Sequence, residues 1–171
     1  MTSDHINIRT ERPDDLDAID DVVGAAFLAE FGSTSEVQLV RTMRERGELV
    51  VSLVAELDGR IVGHIALSEV TLDGEHAGGL GLAPVAVAPE VQGMGIGGRL
   101  IDAALDIAAR DGWRFVVLLG HAAYYPRFGF VPAAPLGLIG DYGDHDGWMV
   151  RPLGVHPLPA GHVRYCSSFT A

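Results

Sequence analysis

The sequence contains no lysine, and all 12 of its cationic side chains are arginines. That excludes a phosphate-loop lysine, a kinase lysine and a Schiff-base lysine. Cysteine is nearly as scarce. Cys166 is the single one, so an intramolecular disulfide framework and a cysteine-built zinc cage are both excluded. Positive charge is short as well: 23 acidic residues against 12 basic ones leave a formal charge of −11. A general nucleic-acid binder would show the opposite balance. No apolar run approaches the ~18 residues of a membrane span. The polar start, Thr2, Ser3 and Asp4, has no apolar signal core. The expectation is a cytoplasmic protein with no nucleic-acid and no membrane partner. What is present is ample apolar material, 48% of the 171 residues, enough for one domain over 1–171 with a real core.

Periodicity orders the elements. A strand is expected at residues 6–9, where Ile6 and Ile8 alternate with polar neighbours. A helix follows from Pro13, with Asp14, Asp15 and Asp17 suited to its N-terminal dipole. A second helix is expected near Ser33, where Ser33 and Glu36 have capping-box spacing, ending near Gly47. Strands at 49–57 and 61–72 flank Asp58-Gly59, a strong hairpin-turn signal. The apolar stretch 79–88 reads as a strand buried on both faces. Then come a helix at 95–110, an apolar strand at 115–119, a short helix at 122–128 and a last strand at 163–169. The order β-α-α-β-β-β-α-β-α-β implies a mixed α/β sheet, not a doubly wound parallel one.

The most informative stretch runs from Val85 through Gln92-Gly93-Met94-Gly95-Ile96-Gly97-Gly98. A strand leads into a glycine-rich turn that opens a helix. Unpaired backbone N–H groups and the helix dipole make such a turn an anion site, most naturally for a pyrophosphate. Gly93, Gly95 and Gly98 also fit the dinucleotide fingerprint G-x-G-x-x-G. That fingerprint wants an acidic residue about 20 positions on; residues 115–119 are wholly apolar, so the nicotinamide reading is the weaker one.

Gln92 to Gly97 has the form Q-x-x-G-x-G and resembles the acyl-CoA pyrophosphate loop of the GNAT N-acetyltransferases. Val85-Ala86-Val87 followed by Pro89 resembles the strand before that loop. Tyr124-Tyr125-Pro126-Arg127-Phe128-Gly129-Phe130 resembles the family's late Y-x-x-x-G-F segment. The double tyrosine, with Trp148-Met149-Val150 and Val163-Arg164-Tyr165, is most similar to the YhbS-like branch. The resemblance implies a mostly antiparallel mixed sheet with a splayed central strand pair and flanking helices. It implies acetyl-CoA as acyl donor and direct transfer to a primary amine, on a small molecule or a peptide. Dimers are common in that family, so a homodimer is one expected assembly. The alternative from another class is a non-catalytic acyl-CoA-binding or sensor module.

Roles follow residue by residue from that resemblance. Backbone N–H groups of Gln92, Gly93, Met94, Gly95, Ile96, Gly97 and Gly98 would take the pyrophosphate, and Arg99 could add a charge contact. The backbone of Val85, Ala86 and Val87 would pair with the pantetheine amides and supply an oxyanion donor. Pro84, lacking an N–H, would break strand pairing there. Tyr125 matches the acid that protonates the leaving thiolate, with Tyr124 as its rival. The base has no acid to claim on residues 80–84; Glu69, Asp73, Glu75, His64, His76 and His121 are candidates, and His121 stands just before the tyrosines.

Other chemistry is set aside. The seven histidines show no H-E-x-x-H spacing, so no metal site is expected. Asp144-His145-Asp146-Gly147 resembles part of a calcium loop, but Leu153 occupies the glutamate position. No G-x-S-x-G elbow exists. Cys166 reads as a buried core residue in a strand.

Overall fold

The computed structural model describes residues 5–141 and 145–170. Thr2, Ser3 and Asp4, and Asp144 of the acidic turn, lie outside the described residues. The elements are β1 (Ile6–Thr10), α1 (Leu16–Phe31), α2 (Ser35–Glu45), β2 (Leu49–Leu57), β3 (Arg60–Leu72), β4 (Glu75–Val87), α3 (Ile96–Arg110), β5 (Phe115–Leu119), β6 (Val131–Pro132), β7 (Leu138–Ile139), β8 (Trp148–Pro152) and β9 (Gly161–Arg164). They form two compact units. One holds the described residues up to Leu67 together with Pro84–Ala104; the other holds Ser68–Ala83 and the chain from Leu105 onward.

In the first unit, β2 and β3 are joined by a two-residue turn with Asp58 at φ 52° and Gly59 at φ 77°. Both central residues at positive φ match the right-handed strand twist, which is why the Asp-Gly pair was a reliable signal. β1 runs antiparallel to β2, from Ile6↔Leu57 to Thr10↔Leu53. Arg9 locks that edge: its guanidinium donates to Asp15 at 2.7 and 2.9 Å and to Glu56 at 2.6 Å. The helix expected from Pro13 opens as a 3-10 turn, Pro13–Asp15, before α1 begins. The Asp15 carboxylate accepts the Arg12 N–H at 2.6 Å and satisfies a donor at that entry. The capping box expected from Ser33 and Glu36 does not form. α2 starts at Ser35, so Glu36 falls one position short of the required spacing; instead Ser33 Oγ accepts the Ser35 N–H at 3.2 Å. Ile19, Val23, Val40, Met43, Val54, Ile65, Leu100 and Ile101 are fully buried. Each such side chain contributes about 1.5–3 kcal/mol of transfer free energy.

In the second unit, Asp73 at φ 52° and Gly74 at φ 82° make another two-residue turn, between β3 and β4. β4 therefore starts at Glu75, ahead of the expected residue 79. The parallel ladder of β4 with β5 runs from Gly79↔Phe115 to Gly81↔Val117 and stops there, although β5 continues to Leu119 and β4 to Val87. Pairing thus ends before Pro84, not at it. β8 pairs antiparallel with β5, β6 with β8, β9 with the end of β3, and β7 lies parallel to β9. Two-residue strands such as β6 and β7 are too short to carry a period, and the sequence reading missed them along with β8. The short helix expected at 122–128 shrinks to a 3-10 turn, Tyr125–Phe128. The expected last strand is cut to β9, and Ser167–Thr170 is a 3-10 turn. Cys166 lies between the two and is only partly buried, so the strand-core reading of it was wrong.

Aromatic rings shape this core. A Cβ on Gly79 would stand 2.2 Å from the Phe115 ring, and one on Gly81 would stand 2.3 Å from the Tyr165 ring. The two β4 glycines are seats for those rings. Phe115, Val117, Trp148 and Val150 belong to one buried cluster with Val70, Leu72 and Val163. Of the expected doubly buried strand, residues 79–82 are buried; from Ala83 to Val87 exposure alternates, with Val85 and Val87 partly open. Among the described residues, no helix is long and apolar enough to cross a membrane.

Candidate functional site

The glycine loop has the geometry its sequence implies. Pro89–Val91 forms a 3-10 turn, and Gln92, Gly93, Met94 and Gly95 are exposed before α3 begins. Gly93 sits at φ 84° and Gly95 at φ 78°, a region costly for a residue bearing Cβ. A Cβ on either would meet nothing within 4 Å, so backbone conformation, not crowding within the chain, demands glycine here. The Arg99 N–H donates to Gly95 O at 3.1 Å. The N–H groups of Ile96, Gly97 and Gly98 precede that bond at the start of α3 and are the helix's orphan donors. Aligned with the positive end of the helix dipole, they can hold an anion.

The side chains around the loop are partly engaged. Gln92 Nε2 donates to Val87 O at 3.1 Å, which pins the loop to the end of β4. Arg99 Nη2 donates to Ile6 O at 2.9 Å, so one of its five donors is already used. Ala86 is buried between the partly open Val85 and Val87.

The tyrosine segment belongs to the second unit and begins at the end of β5. The N–H groups of Tyr124 and Tyr125 donate to His121 O at 3.0 and 3.3 Å, so histidine and tyrosines share one tight turn. Tyr125 is 8% exposed, with its ring edge-on to Tyr124 at 5.1 Å and to Phe130 at 5.8 Å. A Cβ on Gly120 would lie 2.4 Å from the Tyr125 ring, so that ring rests directly on backbone. Tyr124 is more open and is occupied differently: the Arg127 guanidinium stacks 4.4 Å from its ring centroid, and Arg127 Nε donates to its carbonyl at 2.8 Å. His121 is exposed.

The other base candidates are scattered. Glu69 and His76 pair with each other at 2.9 Å. The Asp73 carboxylate accepts the His162 N–H at 2.9 Å beside its own turn. Glu75 is exposed on the same hairpin.

His64 is fully buried in the first unit. It belongs to a polar network that sequence reasoning missed, centred on Glu11. Arg44 donates to Glu11 through Nε at 2.8 Å and Nη2 at 3.1 Å, and Ser52 Oγ donates to Glu11 Oε1. Ser52 has one proton, given to Glu11, so it accepts from His64 Nε2 at 2.8 Å. The imidazole is thereby fixed as the Nε2–H tautomer, and its Nδ1 is buried without a partner. Burial alone would raise the Glu11 carboxyl; its polar neighbours His64, Arg44 and Ser52 outweigh this and hold it at about 2. Burial pushes the His64 imidazole below its ordinary value, with Glu11 only partly opposing. No motif links residues 11, 44, 52 and 64; the signal was only that three polar side chains fall within or beside apolar strands.

Residues 48–132 match the family model of the acetyltransferase (GNAT) domain. The chain is 37% identical to YjhQ, an uncharacterized N-acetyltransferase of Escherichia coli strain K12, over 96% of this chain and 94% of that protein. It is 40% identical to YhbS, an uncharacterized N-acetyltransferase of the same strain, over 74% of each. Its fold matches the crystal structure of YhbS from Escherichia coli in complex with CoA, with a TM-score of 0.92 and 33% identity over 100% of this chain and 95% of that one. It also matches a GNAT family acetyltransferase from Brucella melitensis in complex with acetyl-CoA, with a TM-score of 0.85 and 39% identity over 96% of this chain and 98% of that one. The mixed, mostly antiparallel sheet, the loop ahead of α3 and this likeness over nearly the full length agree, and the chain belongs to the GNAT family of N-acetyltransferases.

Proposed function

We propose that the protein moves the acetyl group of acetyl-CoA directly to a primary amine in a ternary complex, with residues 1–171 acting as one domain in the cytoplasm. The observation that carries this reading is the loop from Gln92 to Gly98, exposed and glycine-kinked, with orphan N–H donors at the start of α3. Two similar structures hold acetyl-CoA and CoA, which supports acetyl-CoA as the donor here.

The chain's residues then divide the work. The N–H groups of the loop and the first turn of α3 hold the pyrophosphate, with Arg99 adding charge. The backbone of Val85, Ala86 and Val87 takes the pantetheine amides and offers an N–H to the oxyanion. The amine nitrogen forms the C–N bond to give a tetrahedral oxyanion, and the C–S bond breaks as that intermediate collapses. His121 accepts the proton that the acceptor ammonium loses before its nitrogen attacks; Tyr125 gives its phenolic proton to the departing thiolate and regains one from the nitrogen as the amide forms. A thiolate is a fair leaving group, so the acid assists without being indispensable.

The test is Tyr125→Phe, assayed by thiol release with an amine panel and by calorimetry with acetyl-CoA. The turnover number should fall about 10²-fold, in the range for one general acid, while acetyl-CoA affinity stays within about twofold. Unchanged turnover would remove Tyr125 from the reaction. No turnover by the parent protein with any amine, despite acetyl-CoA binding, would favour the sensor reading.

A further inference from the structure

The second unit contains a cavity of about 780 Å³. Phe130, Pro132, Trp148 and Met149 contribute to its wall, and among the described residues His145 and Asp146 are the ionisable ones that line it. Among the described residues no arginine lines it, and the chain has no lysine. The volume is that of a small-molecule site, mostly apolar with a few polar groups. Among the described residues, a ligand bearing a carboxylate or phosphate would find no arginine there and would meet Asp146. A cation with an apolar body meets complementary chemistry at both ends.

The turn that carries Asp146 is tied, within the second unit, to the backbone just ahead of His121. Gly147 N–H donates to His145 Nδ1 at 2.9 Å, Trp148 N–H donates to His145 O at 2.9 Å, and Gly120 N–H donates to Gly147 O at 3.0 Å. A Cβ on Gly147 would lie 2.0 Å from Gly120 O, so this contact needs glycine. Gly120 immediately precedes His121. Ala122 and Pro126 also line the cavity, one on each side of Tyr124 and Tyr125 in sequence.

We propose that this cavity is the acceptor pocket and that it selects primary amines with an aryl or branched aliphatic body and no adjacent negative charge, the ammonium lying at Asp146. The proposal rests on the transferase reading above for its reaction, but not for its binding test. In a Trp113→Phe background, Trp148 is the sole tryptophan and reports on the cavity it lines. Titration with 2-phenylethylamine should give a saturable change in Trp148 emission, and L-glutamate should give none. Adding Asp146→Asn, an exposed change that leaves the wall intact, should weaken 2-phenylethylamine about 10-fold. Ala134→Phe, which fills the cavity, should abolish the response while acetyl-CoA affinity is kept. In thiol-release assays, kcat/KM for 2-phenylethylamine should exceed that for methylamine at least 10-fold.

A silent Trp148, an Asp146→Asn variant of unchanged affinity, or a preference for L-glutamate would overturn the proposal. So would a loss of acetyl-CoA binding in folded Ala134→Phe, since the cavity would then hold part of the donor. If the emission responds but no thiol is released from acetyl-CoA with any amine, the pocket stands and the transferase reading fails. If methylamine and 2-phenylethylamine turn over equally while Trp148 stays silent, the transferase reading stands and the pocket assignment fails.

Discussion

Glu11 joins four elements through one carboxylate: it follows β1, and Arg44 of α2, Ser52 of β2 and, through that serine, His64 of β3 converge on it. Its folded pKa of about 2 lies below the ordinary 4.5. A lowered folded pKa stabilises the fold in full above the unfolded value and loses that contribution as pH falls. For Glu11 the loss occurs between about pH 4.5 and 2. His64 is also shifted down, so it acts in the same sense but starting from pH ~6.5, where the unfolded chain begins to take up a proton that the buried imidazole refuses. Glu11→Gln should therefore lower the melting temperature at pH 7, because Arg44 loses a charged partner, and flatten the decline between pH 4.5 and 2. A cost of about 1–3 kcal/mol for the broken, partly buried contacts corresponds to several degrees. Melting curves across pH that superimpose on those of the parent would show the network to be incidental. At this scale the sequence was informative where a residue has a local motif, as at Gly93 and Gly95, whose positive φ suits the glycine-rich turn, and blind where partners lie far apart in the chain. His64 was suspected as a base and is instead a fixed neutral hydrogen-bond donor to Ser52.

Elements were legible in proportion to their length and to the chemistry of their turns. Asp58-Gly59 placed β2 and β3 to within a residue. Asp73-Gly74 is the same dipeptide with the same backbone signs and would have placed the start of β4, but it was not used. The apolar 79–82 segment was read as buried, yet its glycines carried a message that periodicity cannot hold: they make room for Phe115 and Tyr165. Gly81→Ala sets a methyl group against the Tyr165 ring. Overpacking of that kind costs about 1–3 kcal/mol. The expected outcome is a melting temperature lower by several degrees, relieved by a second change, Tyr165→Leu. A Gly81→Ala protein as stable as its parent would mean that the ring moves aside freely. β6, β7 and β8 escaped the sequence because two- and five-residue strands in a Gly- and Pro-rich stretch are set by pairing with distant partners, as β8 is by β5.

The whole molecule was the most legible scale. Absence of lysine, one cysteine and a charge of −11 removed most alternatives before any motif was weighed. The loop and the tyrosine segment, in their order, then pointed to the family that the likeness to YjhQ over 96% of the chain and to YhbS over 74% confirms. The proposed donor site depends on backbone N–H groups of one loop. The direct measurement is calorimetric titration of the protein, and of its Gly95→Val variant, with acetyl-CoA, using NADH as the control ligand. The expected result is micromolar acetyl-CoA binding, about 8 kcal/mol, no heat with NADH, and at least 100-fold weaker acetyl-CoA binding in the variant, whose residue 95 cannot comfortably hold φ 78°. Absence of acetyl-CoA binding by the parent protein, or binding of NADH alone, would contradict it and return Gly93, Gly95 and Gly98 to a dinucleotide fingerprint.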